Sequence, residues 1–525
     1  MASTTTATRS PSEPEDVARK VSLSSASTSN TEMDGLVFER RTMRRIDLRM
    51  LPLLGLLYSV ALIDRTNLGV ARIAGMGEDL ELSIGTRYSL VSCVYFIPYI
   101  LLELPSNALL RVCGSRNLLS FSVVAWGAVQ LSMGFVPNWR ILALCRVLLG
   151  AFEVGYSYSA PGYHLIPLGM LFPGTCIHHY NMVQTSRGTK AVYPSTLHRT
   201  SSITDNKPPD SLHFISFLSS LAVSARYWPT AWLSWQGRPI STAGLGFLQV
   251  IEGALTIVFG GIAWLFLPEF PDNNTFLNKE QTKFVLQRIE EDRGDALPDI
   301  VTIWKILRHL ADWKIWVYGI MFMCTTIPAY AIGFFVTIIL SGMGWDLTHA
   351  LLLSAPPFVF AASFFASSIA LSVFVFAWLS DHFRSRAPFL ALQALMTLVG
   401  FTITGFVQQP GWRYFGLFIA NAGSAGCVPG IIAYASNNVV SHSKRAVTTA
   451  VIGSFGGIGG IIATTVFRQQ DFPRYIPGII TTISCQVLLL ALLGVLTLNF
   501  WYQNKAKQDA GRPEMGGHIG LLYTL

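Results

Sequence analysis

Eleven apolar stretches, most of about 18 to 25 residues and so long enough to cross roughly 30 Å of hydrocarbon, constrain this 525-residue chain more than any other feature. They lie near 48–68, 88–110, 117–135, 140–160, 246–267, 313–340, 350–379, 388–407, 412–434, 446–467 and 476–500. Backbone polar groups must be satisfied within the segment when lipid surrounds it, and runs of this length do that as helices. The expected fold class is therefore an all-α membrane protein. With 51% hydrophobic and 13% charged residues, the composition excludes an ordinary soluble domain.

The net charge of +8 does not point to nucleic acid, because of where it sits. Basic residues cluster at Arg40, Arg41, Arg44 and Arg45, at Arg111 and Arg116, at Arg384 and Arg386, at Lys444 and Arg445, and at Lys505 and Lys507. One further crossing hidden between 160 and 246 would place all these loops on one side, as the positive-inside rule requires. Twelve spans in two six-helix bundles follow, with both termini cytoplasmic and the plasma membrane the expected location.

The domain reading is a disordered cytosolic tail at 1–45, an N-terminal bundle at 46–267, a central cytosolic loop at 268–312, a C-terminal bundle at 313–502 and a cytosolic tail at 503–525. Ser and Thr dominate the first tail. Within the central loop, Lys279–Asp292 has the mixed charge of a surface helix.

Ionisable residues inside such spans are costly unless they face a wet cavity or a partner, so they mark a pathway through the bilayer. Asp64 and Arg65 close the first apolar run, Glu103 lies in the second, and Arg146 and Glu153 lie in the fourth. The last two are seven residues apart, which puts them on one helix face. A structural alternative is that these charges only lock helices together, and for Glu103, beside Pro105, a capping role would suffice. Asn67 and Asn421 are polar candidates for the same cavity, with interhelical hydrogen bonding the alternative for Asn421.

Several motifs together resemble a known family. The runs DRTNLGVA from Asp64, YILLELPSN from Tyr99 and RVLLGAFEVG from Arg146 are similar to the anion:cation symporter branch of the major facilitator superfamily. So are SAPPF from Ser354, WLSDHFRSR from Trp378, SNNVVSHSKR from Ser436 and FPRYIPG from Phe472, which resemble the fungal allantoate permease group. The resemblance implies a major facilitator fold and proton-coupled uptake of a small carboxylate by alternating access. Arg65 and Arg146, with Asn67 and Asn421, would bind the substrate anion, because a forked guanidinium suits a carboxylate. Asp64, Glu153 and Glu103 would carry protons. Burial and a neighbouring guanidinium pull a carboxyl's proton affinity in opposite directions, so an arriving anion resets it. Asp381, Arg384 and Arg386 would form the cytoplasmic gating loop. Its first-half counterpart has Asn107 where an acid is expected.

The expected partners are the small organic anion, protons and lipid, with the chain acting as a monomer. No cofactor, metal or nucleic acid is implied, and no constellation for catalysis appears. Glycines at 453, 456, 457, 459 and 460 have the spacing of close helix packing.

Residues 156–244 depart from this pattern. No span of twenty apolar residues survives there, and five of the ten histidines fall within it. Read from the third base of each codon, Tyr227–Gly237 permits LAYGLAKLAG, a string similar to the family's fifth span. An altered reading frame or a long insertion would each explain the segment. Export of a secondary metabolite is the alternative function, and a non-transporting sensor or inactive product is the reading that a missing fifth helix would favour. The run at 350–379 is also longer than one helix needs.

Overall fold

The computed structural model describes residues 38, 41–42, 45–46, 49–50, 52–82, 84–157, 242–267, 276–285, 303–362, 376, 379–380, 382–383, 385–439, 442–509, 514–515, 518–519 and 523–524. It divides into Met1–Arg49, where the described residues at 41–42 and 45–46 are helical, and Met50–Leu525.

The second unit is helical. α1 runs over Pro52–Ala71 and continues into a π-helical turn, Arg72–Met76. α2 (Arg87–Cys93) and α3 (Phe96–Cys113) form one interrupted span. α4 (Ser115–Met133), α5 (Trp139–Ser157) and α6 (Thr242–Phe266) complete the described N-terminal half. α7 (Ile303–Leu310), α8 (Trp313–Ser341), α9 (Leu347–Ala362), α10 (Ala387–Phe406), α11 (Pro410–Asn438), α12 (His442–Val466) and α13 (Ile476–Asp509) form the C-terminal half. Two antiparallel strands of two residues each, β1 (Glu514–Met515) and β2 (His518–Ile519), follow.

Each of the eleven apolar stretches is helical over most or part of its described residues, and among the described residues seven helices are long and apolar enough to cross a membrane. The outward residues are those that lipid would take: Leu101, Phe121, Leu265, Val487 and Leu498 are exposed. The segment expected to hold a fifth span lies almost wholly outside the described residues, as does the overlong end of the run at 350–379 beyond Ala362. Residues 279–285 are helical, the first half of the surface helix expected in the central loop.

Proline explains the breaks and two of the cross-links. Pro98 has no N–H for the Val94 carbonyl four residues earlier, and the helical ladder lapses at 94–95 between α2 and α3. Pro328 likewise leaves the Cys324 carbonyl without its intrahelical donor, and Gln486 Nε2 from α13 donates to it at 2.7 Å. Pro357 leaves the Leu353 carbonyl, and the Tyr414 hydroxyl from α11 donates to it at 3.0 Å. Freed carbonyls at membrane depth are thus served by neighbouring helices. Between α3 and α4, Gly114 turns the chain at φ 78° and ψ 148°, a region closed to residues with a Cβ.

The glycines of α12 pack as their spacing predicts. A Cβ on Gly457 would meet Ile100 of α3, one on Gly460 the Phe96 ring, and one on Gly459 Thr326 of α8. α12 therefore wedges between α3 and α8, joining the two halves.

Candidate functional site

The charges singled out in the N-terminal half are buried within it, and Arg65 reaches across to α8. Asp64, Arg65, Glu103, Arg146 and Glu153 are all at most 5% exposed, so each must find its compensation inside the protein.

Their partners differ from the neighbours suggested along the chain. Arg65 pairs with Glu153, Nη2 to Oε1 at 2.5 Å, joining α1 to α5. Arg146, on the same helix as Glu153, instead donates from Nη1 to the Arg65 carbonyl at 3.2 Å. Asp64 turns away from Arg65 and accepts on Oδ2 from Trp126 Nε1 of α4 at 3.1 Å and from the Thr256 hydroxyl of α6 at 3.2 Å. Consecutive residues on a helix point about 100° apart, so Asp64 faces the inside of the N-terminal half and Arg65 faces its partner half.

Arg65 is enclosed by aromatic rings. Its guanidinium carbon lies 5.2 Å from the ring centres of Tyr95 and Tyr99 and 5.8 Å from that of Tyr330. Nη1 donates to the Tyr330 hydroxyl at 2.6 Å, which ties α1 to α8 across the two halves. The rings offer cation–π stabilisation to a charge held out of water. Tyr99 opens the YILLELPSN motif but has no role assigned there, and Tyr95 and Tyr330 stand in no motif, since aromatic residues in an apolar run carry no signal of their own.

Asn67 donates from Nδ2 to Glu252 Oε2 of α6 at 2.5 Å. Glu252 is a site residue that the sequence reading passed over, although an acid in the apolar run of α6 is the same signal that marked Asp64 and Glu103. Glu103 sits mid-helix in α3 rather than at an end, so a capping role does not apply. Neither of its carboxylate oxygens has a hydrogen-bond partner among the described residues, and the same holds for Asp64 Oδ1 and Glu153 Oε2. These are acceptor atoms available to a proton.

Asn421 does not join this cluster: its Nδ2 donates to the Pro357 carbonyl at 2.9 Å, the interhelical alternative. Of the expected gating loop, Asp381 and Arg384 lie outside the described residues, and Arg386 is buried as the N-cap of α10.

Close approach of backbones holds the site together. A Cβ on Gly69 of α1 would collide with the Phe334 carbonyl of α8, and one on Gly150 of α5 with the Tyr95 carbonyl. Next to Gly69 on the same end, Phe335 stacks on Phe467 at 5.2 Å and meets Tyr88 edge-on at 5.9 Å, an aromatic seal between the halves.

Two helical halves meet over a buried, aromatic-lined ion pair, and together with the family match this makes the chain a membrane transport protein rather than an enzyme. The chain belongs to the Major Facilitator Superfamily, whose family model matches residues 54–163 and 240–464. It is similar to the MFS-type transporter efuF of Hormonema carpetanum, 26% identical over 88% of this chain and 84% of that protein. It is also similar to the high-affinity nicotinic acid transporter of Saccharomyces cerevisiae, 25% identical over 90% of this chain and 79% of that protein. In fold it matches the crystal structure of a bacterial homologue of the human lysosomal transporter Spinster, inward-facing and occupied. That match has a TM-score of 0.56 at 15% identity and covers 86% of this chain and 97% of that one. The family match is interrupted between 163 and 240, within the stretch whose sequence departs from a six-helix half.

Proposed function

We propose that this transporter imports a small organic carboxylate together with protons, across the plasma membrane and with both termini in the cytosol. The observation that carries the proposal is the Arg65–Glu153 pair, 2.5 Å apart, buried, and facing α8. While ionised, Glu153 occupies the guanidinium. When Glu153 takes up a proton, its negative charge is lost and the fork of Arg65 is left to a carboxylate of the substrate. Proton and anion then enter as a unit, because neither binding step is favourable without the other.

Arg146 becomes a positioning residue in this scheme, holding the backbone at Arg65 rather than the anion itself. Asp64, bonded to α4 and α6, and Glu252 of α6, bonded to Asn67 of α1, stand behind the pair as a second carboxylate layer for the proton. The tyrosines around Arg65 suit a planar or aromatic carboxylate, and nicotinic acid, the compound named for the yeast relative, is of that class. The fungal allantoate permease group remains the branch this reading favours.

The test is uptake of radiolabelled carboxylates in cells making the protein, with surface levels matched. Arg65→Lys keeps the charge but loses the fork, and uptake of every carboxylate substrate is expected to fall at least tenfold. Uptake undiminished in that variant would refute the anion clamp. Influx that an imposed inward proton gradient does not accelerate would refute the symport.

A further inference from the structure

We infer that the end of the C-terminal half where α8 begins and α11 ends is a peptide-binding site, and that its occupant is the chain's own Tyr523–Thr524 segment. Two asparagines read the backbone there. Asn504 of α13 accepts on Oδ1 from the Tyr523 N–H at 2.9 Å and donates from Nδ2 to the Tyr523 carbonyl at 2.8 Å. Asn438 of α11 accepts on Oδ1 from the Thr524 N–H at 2.8 Å and from its hydroxyl at 3.1 Å, and donates from Nδ2 to the Thr524 carbonyl at 3.2 Å. Each side-chain amide thus satisfies both backbone groups of one residue, as an added strand would.

The side chain is read as well. The Tyr523 ring stacks on Phe500 of α13 with centres 4.4 Å apart and planes 6° apart. Lys314 of α8 lies 4.5 Å from the centre of the same ring and donates from Nζ to its hydroxyl at 3.2 Å. An aromatic residue, together with backbone N–H and C=O groups that pair with side-chain amides, is therefore the recognised chemistry. Asn438 belongs to the SNN motif of the sequence, and this is the use to which the structure puts it.

Three helices that no short loop connects at this end, α8, α11 and α13, each contribute a contact to the segment. A strap across them holds their ends in register, whatever the transported substrate. The assignment is tested without substrate by a thermal double-mutant cycle on the purified full-length protein in detergent. Deletion of residues 521–525 and the Asn438→Ala, Asn504→Ala pair are each expected to lower the midpoint. Combined, they are expected to give a drop smaller than the sum of the two, because the bonds of Asn438 and Asn504 to the segment are lost in both. Additive drops, or a deletion that leaves the midpoint unchanged, overturn the docking. A second arm needs no truncation: Tyr523→Ala in the full-length chain is expected to lower the midpoint, because the ring stacked on Phe500 is lost, and an unchanged midpoint overturns the docking equally.

Discussion

Arg65 and Glu153 stand 2.5 Å apart, on helices α1 and α5, while Arg146, two turns before Glu153 on the same helix, is committed to the Arg65 carbonyl. The charged pair is therefore built between helices, and the guanidinium that could compete for Glu153 is held elsewhere. In Glu153→Gln the amide keeps the shape and removes the titrating group. Substrate exchange driven by a substrate gradient is expected to persist, while accumulation driven by a proton gradient is lost. Counterflow and pH-jump uptake in the same vesicles check this, and accumulation retained in the variant would remove Glu153 from the proton path.

Gln486 and Pro328 offer a stability test away from the site. Gln486→Leu leaves the Cys324 carbonyl buried without a donor, at a cost of about 1–3 kcal/mol. Pro328→Ala returns a backbone N–H four residues on. The single leucine variant is expected to unfold at lower temperature, and the double variant to recover most of the loss. A double variant no more stable than Gln486→Leu would mean that the side chain serves some other purpose.

Gly69→Ala puts a methyl group into the Phe334 carbonyl. Backbone cannot yield as a flexible side chain would, so α1 and α8 must separate at this end, with overpacking costs of about 1–3 kcal/mol. Uptake is expected to fall severalfold, and a cysteine placed at Phe334 is expected to react faster with a water-soluble maleimide than in the parent. Unchanged reactivity would show that the close approach is not maintained.

Asp312 caps α8, accepting from the Lys314 N–H at 3.1 Å, and pairs with Lys444 Nζ at 2.6 Å. Burial works to raise its pKa, but the hydrogen bonds from Lys444 and Lys314 and their two charges outweigh it and hold the carboxyl below its ordinary value. A group depressed in the folded state stabilises above the unfolded pKa, near 4, and the contribution disappears as pH falls through the lowered folded value. Both side chains are partly exposed, so the effect is under about 1 kcal/mol. Thermal midpoints of the parent and of Asp312→Asn are expected to differ at pH 7 and to converge below pH 4; a constant difference across that range would exclude the linkage.

The reading-frame question has its own expectation. Messenger RNA spanning the codons for Tyr156–Gly244 is expected to encode a further apolar span, since the family match stops at 163 and resumes at 240. A transcript encoding the stretch as written would favour a long insertion instead.

The sequence by itself determined the helical membrane class, the position of each described span, the small-residue packing of α12 and the identity of most buried charges. Each of these follows from local composition or from the helical period, both of which are visible along the chain. Tertiary structure alone decided the partners. Helical spacing places Arg146 and Glu153 on one face, but what lies across from each depends on how α1, α3, α5 and α8 pack, and that contact energy is spread over residues hundreds of positions apart. The same holds for Tyr330 on Arg65, Gln486 on the Cys324 carbonyl and Asn438 on Thr524: each pairs polar groups separated by 86 to 265 residues, a distance over which no local pattern can signal.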